Sequence, residues 1–198
     1  MRVEEREAAH IPLTKAGLAK IAFVAVAALG ALAASVATAP GLNGAAGTAL
    51  AAICLTIAIF DYRLMIIPDE LNGLALVTGV AAAGLETSPA NAILTAVIRA
   101  GVMFAAFFLF RFGYRRLRGV EGIGLGDVKL AAVAGAWLDW PDLPIVVDVA
   151  ALSALTAAIL ARLRGHKLHP MAKLPFGVFF APSIWACWWL AASRGGPM

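Results

Sequence analysis

The sequence has 198 residues, 62% of them hydrophobic and 14% charged, with a net charge of +4 and a mean hydropathy of +0.86. A soluble domain carries about a quarter charged residues, and here the apolar residues lie in continuous blocks, so a water-soluble globule is excluded and lipid is the solvent. The blocks are continuously apolar rather than alternating, which excludes barrel strands and predicts helices.

A polar cytoplasmic tail over 1–16 precedes the first block, 17–38, which is longer than a signal-peptide core and is read as a retained helix. Further blocks follow at 44–60, 70–86, 91–110, 127–138, 144–161 and 173–192. A bilayer core takes roughly 20 residues per helical crossing; the fifth block is short and by itself resembles a half-crossing. The segment 193–198 reads as a disordered tail. The expected fold is an all-α polytopic membrane bundle of about seven transmembrane helices over 17–192.

Loop charge tests that count. Arg2, Arg6, Lys15 and Lys20 open the chain, and Arg63 lies between the second and third blocks. Arg111, Arg115, Arg116, Arg118 and Lys129 flank the gap between the fourth and fifth, and Arg162, Arg164, Lys167 and Lys173 that between the sixth and seventh. The gaps 39–43, 87–90 and 139–143 hold no Lys or Arg. Fourteen of the sixteen basic residues therefore fall on one face of a seven-pass arrangement, which places the N-terminus in the cytoplasm and the C-terminus outside. Topology and attraction to anionic membrane lipids account for the positive charge, so no nucleic-acid partner is expected.

Ionisable residues at or within spans are costly and mark function. Glu4, Glu5, Glu7, Glu86, Asp139, Asp142 and Asp148 fall in the tail, the outer loops or an outer helix end, where solvation explains them. Asp61, Asp69, Glu70, Glu121 and Asp127 gather on the cytoplasmic side. Asp69 and Glu70 follow Pro68 at the start of a helix, where the positive end of the dipole favours acids. Asp61 ends the run AAICLTIAIF at a helix C-terminus, where the dipole disfavours a carboxylate; it lacks a local reason. Asp127 opens the run VKLAAVAGAWL after Gly122, Gly124 and Gly126, alternate glycines that allow positive φ and close approach of a substrate strand. The same pattern also suits a flexible loop with an N-cap aspartate. A nucleotide loop is excluded, because the order is G-x-G-x-G with no strand before it.

Two carboxylates about 3 Å apart cannot both ionise, so the pair holds a single proton. The ionised member takes a proton from water while the protonated one polarises a peptide carbonyl. That chemistry needs no metal and no cofactor. Protons belong to the pair, so neither aspartate has a fixed role.

Asp61 with Ile67-Pro68-Asp69, then Gly124-Leu125-Gly126-Asp127-Val128-Lys129-Leu130, then Leu174-Pro175-Phe176-Gly177, resembles the type IV prepilin peptidases, which are G-x-G-D aspartyl peptidases. The resemblance covers about 44–192. It implies a bacterial inner-membrane enzyme facing the cytoplasm, with Asp61 and Asp127 as the catalytic pair and Asp69 non-catalytic. It also implies a prepilin or pseudopilin substrate, cut at the cytoplasmic border of its hydrophobic helix. Pro175, Phe176 and Gly177 are implied to line the substrate groove, beside the Gly124 and Gly126 loop. Larger members carry paired C-x-x-C motifs associated with N-methylation. The cysteines here, Cys54 and Cys187, sit singly in apolar blocks as packing residues, so leader removal without methylation is expected. The short form looks like the peptidases of tight-adherence (Flp) pilus systems; a secretion pseudopilus is the alternative substrate.

Lys129 either holds a substrate carboxylate or snorkels to headgroups. Arg99, inside the fourth block, either snorkels or pairs within the bundle. His166 and His169 lack acidic partners, so no metal site is expected. Trp185, Trp188 and Trp189 suit an interfacial belt. A proton-coupled transporter using the same carboxylates is the competing reading, but it requires them near the midplane, and a non-catalytic scaffold is a third.

Overall fold

The structure, a computed structural model, describes residues 28–39, 41–120, 122–165 and 175–195. The tail 1–16, Glu121, His166, Lys167, His169, Lys173 and Leu174 lie outside them. The described residues are all-helical. α1 covers Ala28–Thr38. It is followed by α2 (Leu42–Leu64), α3 (Asp69–Ala83), α4 (Pro89–Arg118), α5 (Leu125–Trp137), α6 (Asp142–Leu163) and α7 (Gly177–Ser193).

Within the described residues each apolar block is helical, and α2 and α4 outrun their blocks furthest. α2 continues through Asp61 to Leu64 and stops at Met65, whose φ of 53° places it in the left-handed region and whose N–H bonds back to Asp61 O. α4 runs to Arg118 and ends on Gly119 at φ 71°. Arg115, Arg116 and Arg118 occupy its last turn, where cations complement the negative end of the dipole. Block ends track hydropathy, whereas these helix ends track backbone capping, so the helices extend beyond the lipid-compatible run.

Among the described residues, α2, α4 and α6 are long and apolar enough to cross a membrane. α5 is about 20 Å long at 1.5 Å per residue, short of a bilayer core of about 30 Å. Its residues from Leu130 to Trp137 are all buried, and it packs on α3, α4, α6 and α7. α5 is the core of the bundle rather than a lipid-facing crossing, which is why its sequence is apolar on every side.

Small residues let the helices close on it. A Cβ at Gly135 would fall 2.5 Å from the Arg99 backbone, and one at Gly47 would fall 1.7 Å from the Trp188 ring. The first fixes α4 against α5 and the second α2 against α7, the close-approach packing that membrane bundles use. The outer faces of α4 and α6 expose Phe104, Phe108, Leu109, Leu152, Leu155 and Ile159. Such surfaces aggregate in water and are the normal boundary in lipid.

The tryptophans of α7 have partners within the bundle. Trp188 is buried edge-on to Trp137. Trp185 and Trp189 donate their indole N–H to Ser35 Oγ and Thr38 Oγ1 at 2.9 and 2.8 Å. Both rings are half-buried, and the α1 hydroxyls satisfy their N–H groups. Cys54 and Cys187 are buried free thiols, as the apolar context led us to expect.

Candidate active site

Asp61 lies in the last turn of α2 and is 6% exposed. Its Oδ2 accepts the Val178 N–H at 3.1 Å, so the first turn of α7 holds it. The dipole of α2 disfavours a carboxylate there, but the positive end of α7 favours one. The local sequence offers Asp61 no stabilising partner; a helix more than a hundred residues away does.

Pro175, Phe176 and Gly177 build that helix start. Phe176 is the N-cap of α7 and packs on Phe180 with ring centroids 5.3 Å apart, while Phe180 stacks on Phe107 of α4 at 5.6 Å. Gly177 is buried where a Cβ would lie 2.9 Å from Asp61 Oδ2 and 2.8 Å from Ile67 Cδ1. No larger residue fits without displacing the carboxylate.

Asp127 is at the third position of α5, with Gly124 as N-cap. Its Oδ2 accepts the Gly124 N–H at 3.2 Å. The aspartate is therefore a first-turn residue reaching back to the helix start, rather than the N-cap itself. Gly124 has φ −68°, so left-handed backbone is not what this glycine provides. Gly126 instead serves close approach: a Cβ there would meet Ile67 Cβ at 3.0 Å. Arg111 Nη1 donates to Ile123 O, which ties the glycine loop to α4.

Ile67, 8% exposed, thus packs between Gly126 and Gly177. That contact joins the segment before Asp127 to the segment that binds Asp61. The arrangement gathers Asp61, Gly126, Asp127 and Gly177 at one end of the bundle. Pro175 and Phe176 enter α7 beside them.

Lys129 points elsewhere. Its Nζ pairs with Asp69 Oδ2 at 2.6 Å, clasping the first turns of α3 and α5. Asn72, to which the sequence reading gave no role, is 4% exposed and donates from Nδ2 to Gly126 O at 3.4 Å. Its signal was a polar side chain one turn after Asp69, in an otherwise apolar block.

Arg99, in α4, lies beside the far end of α5; its acceptor Gly135 is about 12 Å along the α5 axis from Asp127. It pairs within the bundle, with Nε on Gly135 O at 3.2 Å and Nη1 on Asp139 Oδ1. A cavity of about 260 Å³ opens there, with Glu86, Arg99, Asp139 and Asp142 in its wall. It is remote from the aspartate pair. Among the described residues no three His, Cys, Asp or Glu side chains gather as metal ligands; His166 and His169 lie outside that set.

Asp61 ends α2 against the start of α7 and Asp127 lies in the first turn of α5; two carboxylates held close together can share a proton and activate water. Residues 48–161 match the model of the type IV leader peptidase family. A prepilin leader peptidase/N-methyltransferase of Burkholderia pseudomallei is 39% identical over 147 residues, covering 71% of this chain and 46% of the relative. One from Dickeya chrysanthemi is 36% identical over 152 residues, covering 72% and 52%. Leader peptidase HopD of Escherichia coli is 32% identical over 138 residues, covering 69% and 88%. The chain thus spans about half the length of the first two relatives and most of the third. No solved structure matches. With the family model matched over more than half of its length and with these relatives, the chain belongs to the type IV leader peptidase family.

Proposed function

We propose that this chain is a membrane aspartyl endopeptidase that removes the leader from prepilins or pseudopilins, with Asp61 and Asp127 as its catalytic pair. The observation that carries the reading is geometric: Ile67 packs on both Gly126, the residue before Asp127, and Gly177, the residue against the Asp61 carboxylate, which brings the ends of α2, α5 and α7 together at one end of the bundle. The aspartates' bonds to Val178 and Gly124 engage Oδ2 of each. Oδ1 of each remains, among the described residues, for the shared proton and the attacking water. One carboxylate accepts a proton from water as the oxygen attacks the scissile carbonyl; the other protonates the developing oxyanion. The proton returns to the leaving amine as the C–N bond breaks, and the pair is restored.

The basic residues support a cytoplasmic position for this end. Arg63 stands two residues after Asp61, and Arg111, Arg115, Arg116 and Arg118 lead into the glycine loop. Excess Lys and Arg mark the cytoplasmic side of a bacterial inner-membrane protein. A leader presented there would meet the pair, with the pilin's apolar helix in the bilayer alongside. Pro175, Phe176, Gly177 and the Gly124–Gly126 loop are proposed to border the bound peptide. Lys129, committed to Asp69 in the resting structure, would reach a substrate carboxylate only by leaving that partner.

Methylation is not part of the proposed activity. The two cysteines within these 198 residues lie in α2 and α7 and form no C-x-x-C pair. The test is incubation of the purified chain with candidate short pilin precursors, followed by mass measurement of the new N-terminus. Loss of the leader mass without a methyl increment is expected; an intact precursor defeats the peptidase reading.

A further inference from the structure

We infer that Asn72 is a positioning residue for Asp127, retained for geometry at some cost in stability. The inference rests on the peptidase reading and extends it to a residue outside the aspartate pair.

Asn72 projects from the second turn of α3 into the interior, at 4% exposure. Its Nδ2 donates to Gly126 O at 3.4 Å. A carbonyl can only accept, so the amide orientation is fixed by chemistry. The opposite atom, Oδ1, is buried and has no hydrogen-bond partner. A half-satisfied amide in an apolar interior is destabilising relative to a hydrocarbon of the same shape. Packing alone would therefore select leucine here, and the amide needs another explanation.

Its one bond provides that explanation. Gly126 immediately precedes Asp127, and its peptide is gripped from two directions. Ile67 packs against its Cα, and Asn72 holds its carbonyl. The Lys129–Asp69 pair fixes the same two helix starts a turn further on. Rotation or slippage of the first turn of α5 would swing the Asp127 carboxylate away from Asp61. The Asn72 bond resists that motion with one directional contact, and the weakly directional contacts of Ile67 cannot replace it. Misplacement by about 1 Å costs an enzyme roughly 100-fold.

The test compares Asn72→Leu, Asn72→Asp and Asn72→Gln with the unaltered chain in one detergent, using a pilin precursor that the unaltered chain cleaves. Asn72→Leu is expected to keep or raise the melting temperature while kcat falls roughly 10- to 100-fold and KM stays within about twofold. Asn72→Gln, which retains a donor, should recover part of kcat. Should Asn72→Leu fail to insert, Asn72→Asp serves instead, assayed above the pH at which the new carboxyl ionises: there it preserves volume, has no donor, and should lower kcat without unfolding. Wild-type kcat in Asn72→Leu or Asn72→Asp, or a loss that merely follows the melting temperature, overturns the assignment. An unaltered chain that cleaves nothing refutes the peptidase reading instead, so the two failures are distinguishable.

Discussion

Asp61 Oδ2 accepts the backbone N–H of Val178 at 3.1 Å. A carboxylate at the unfavourable end of α2 is thereby placed at the favourable end of α7, and the two helices are locked around it. The same bond turns one oxygen of Asp61 toward α7, so the carboxylate cannot rotate freely before substrate arrives. Preorganised groups of this kind avoid the reorganisation that solvent-exposed acids must undergo during reaction.

Removing either acid should stop catalysis without dismantling the bundle. Asp61→Ala and Asp127→Asn are each expected to lower cleavage of a co-expressed pilin precursor by at least about 10²–10⁴-fold. Membrane insertion should be unchanged. Immunoblotting of precursor and mature pilin, beside membrane fractionation of the variant, checks both halves. Processing that survives in either variant excludes that aspartate.

Gly177→Ala tests the close approach on which Asp61 depends. The new Cβ would lie 2.9 Å from Asp61 Oδ2, so the carboxylate or the start of α7 must move. Overpacking of this kind costs about 1–3 kcal/mol, and the displacement should lower kcat roughly 100-fold. Thermal unfolding and single-turnover cleavage measure the two effects separately. Full activity with an added methyl at this position would remove the steric argument for Gly177.

Arg99, in α4, binds the other end of α5, so its loss should affect stability and not chemistry. Its side chain is 11% exposed and its partner Asp139 42% exposed. Breaking a deeply buried pair costs about 3–5 kcal/mol and breaking an exposed one under about 1 kcal/mol. Arg99→Met should therefore destabilise by about 1–3 kcal/mol while kcat stays near wild type. A large kcat defect at unchanged melting temperature would show coupling between the two ends.

Glu86, in the loop after α3, has its carboxyl pushed above the ordinary glutamate value by burial and by the negative charge of Asp139, with Arg99 opposing. An acid whose folded-state value is raised binds its proton more tightly when folded. Its stabilising contribution is present at low pH and lost as pH rises through the folded value. Glu86→Gln should therefore raise the melting temperature at neutral pH and leave it nearly unchanged at acidic pH. A melting-temperature series across pH for both chains provides the check, and a lower neutral-pH value in the variant contradicts the sign.

Much was legible because the solvent is lipid. Continuous apolar runs must be helices when no water satisfies the backbone, so the all-helical bundle found among the described residues follows from one dimension. Helix ends were less legible, because caps such as Met65 and Gly119 depend on backbone geometry that hydropathy does not register. Pro68 and the acids behind it, by contrast, marked the start of α3 directly.

The chain alone determined which carboxylates lacked a local explanation and which glycines crowded one of them. Tertiary structure decided everything that depends on distant segments meeting. It seated Asp61 on the start of α7, wedged Ile67 between Gly126 and Gly177, turned Lys129 onto Asp69, paired Arg99 inward, and placed Asn72 under the loop before Asp127. Hydropathy and helix dipoles act along a single segment and can be read from it. Steric fit and hydrogen-bond direction exist only between segments, and they appear when the helices pack.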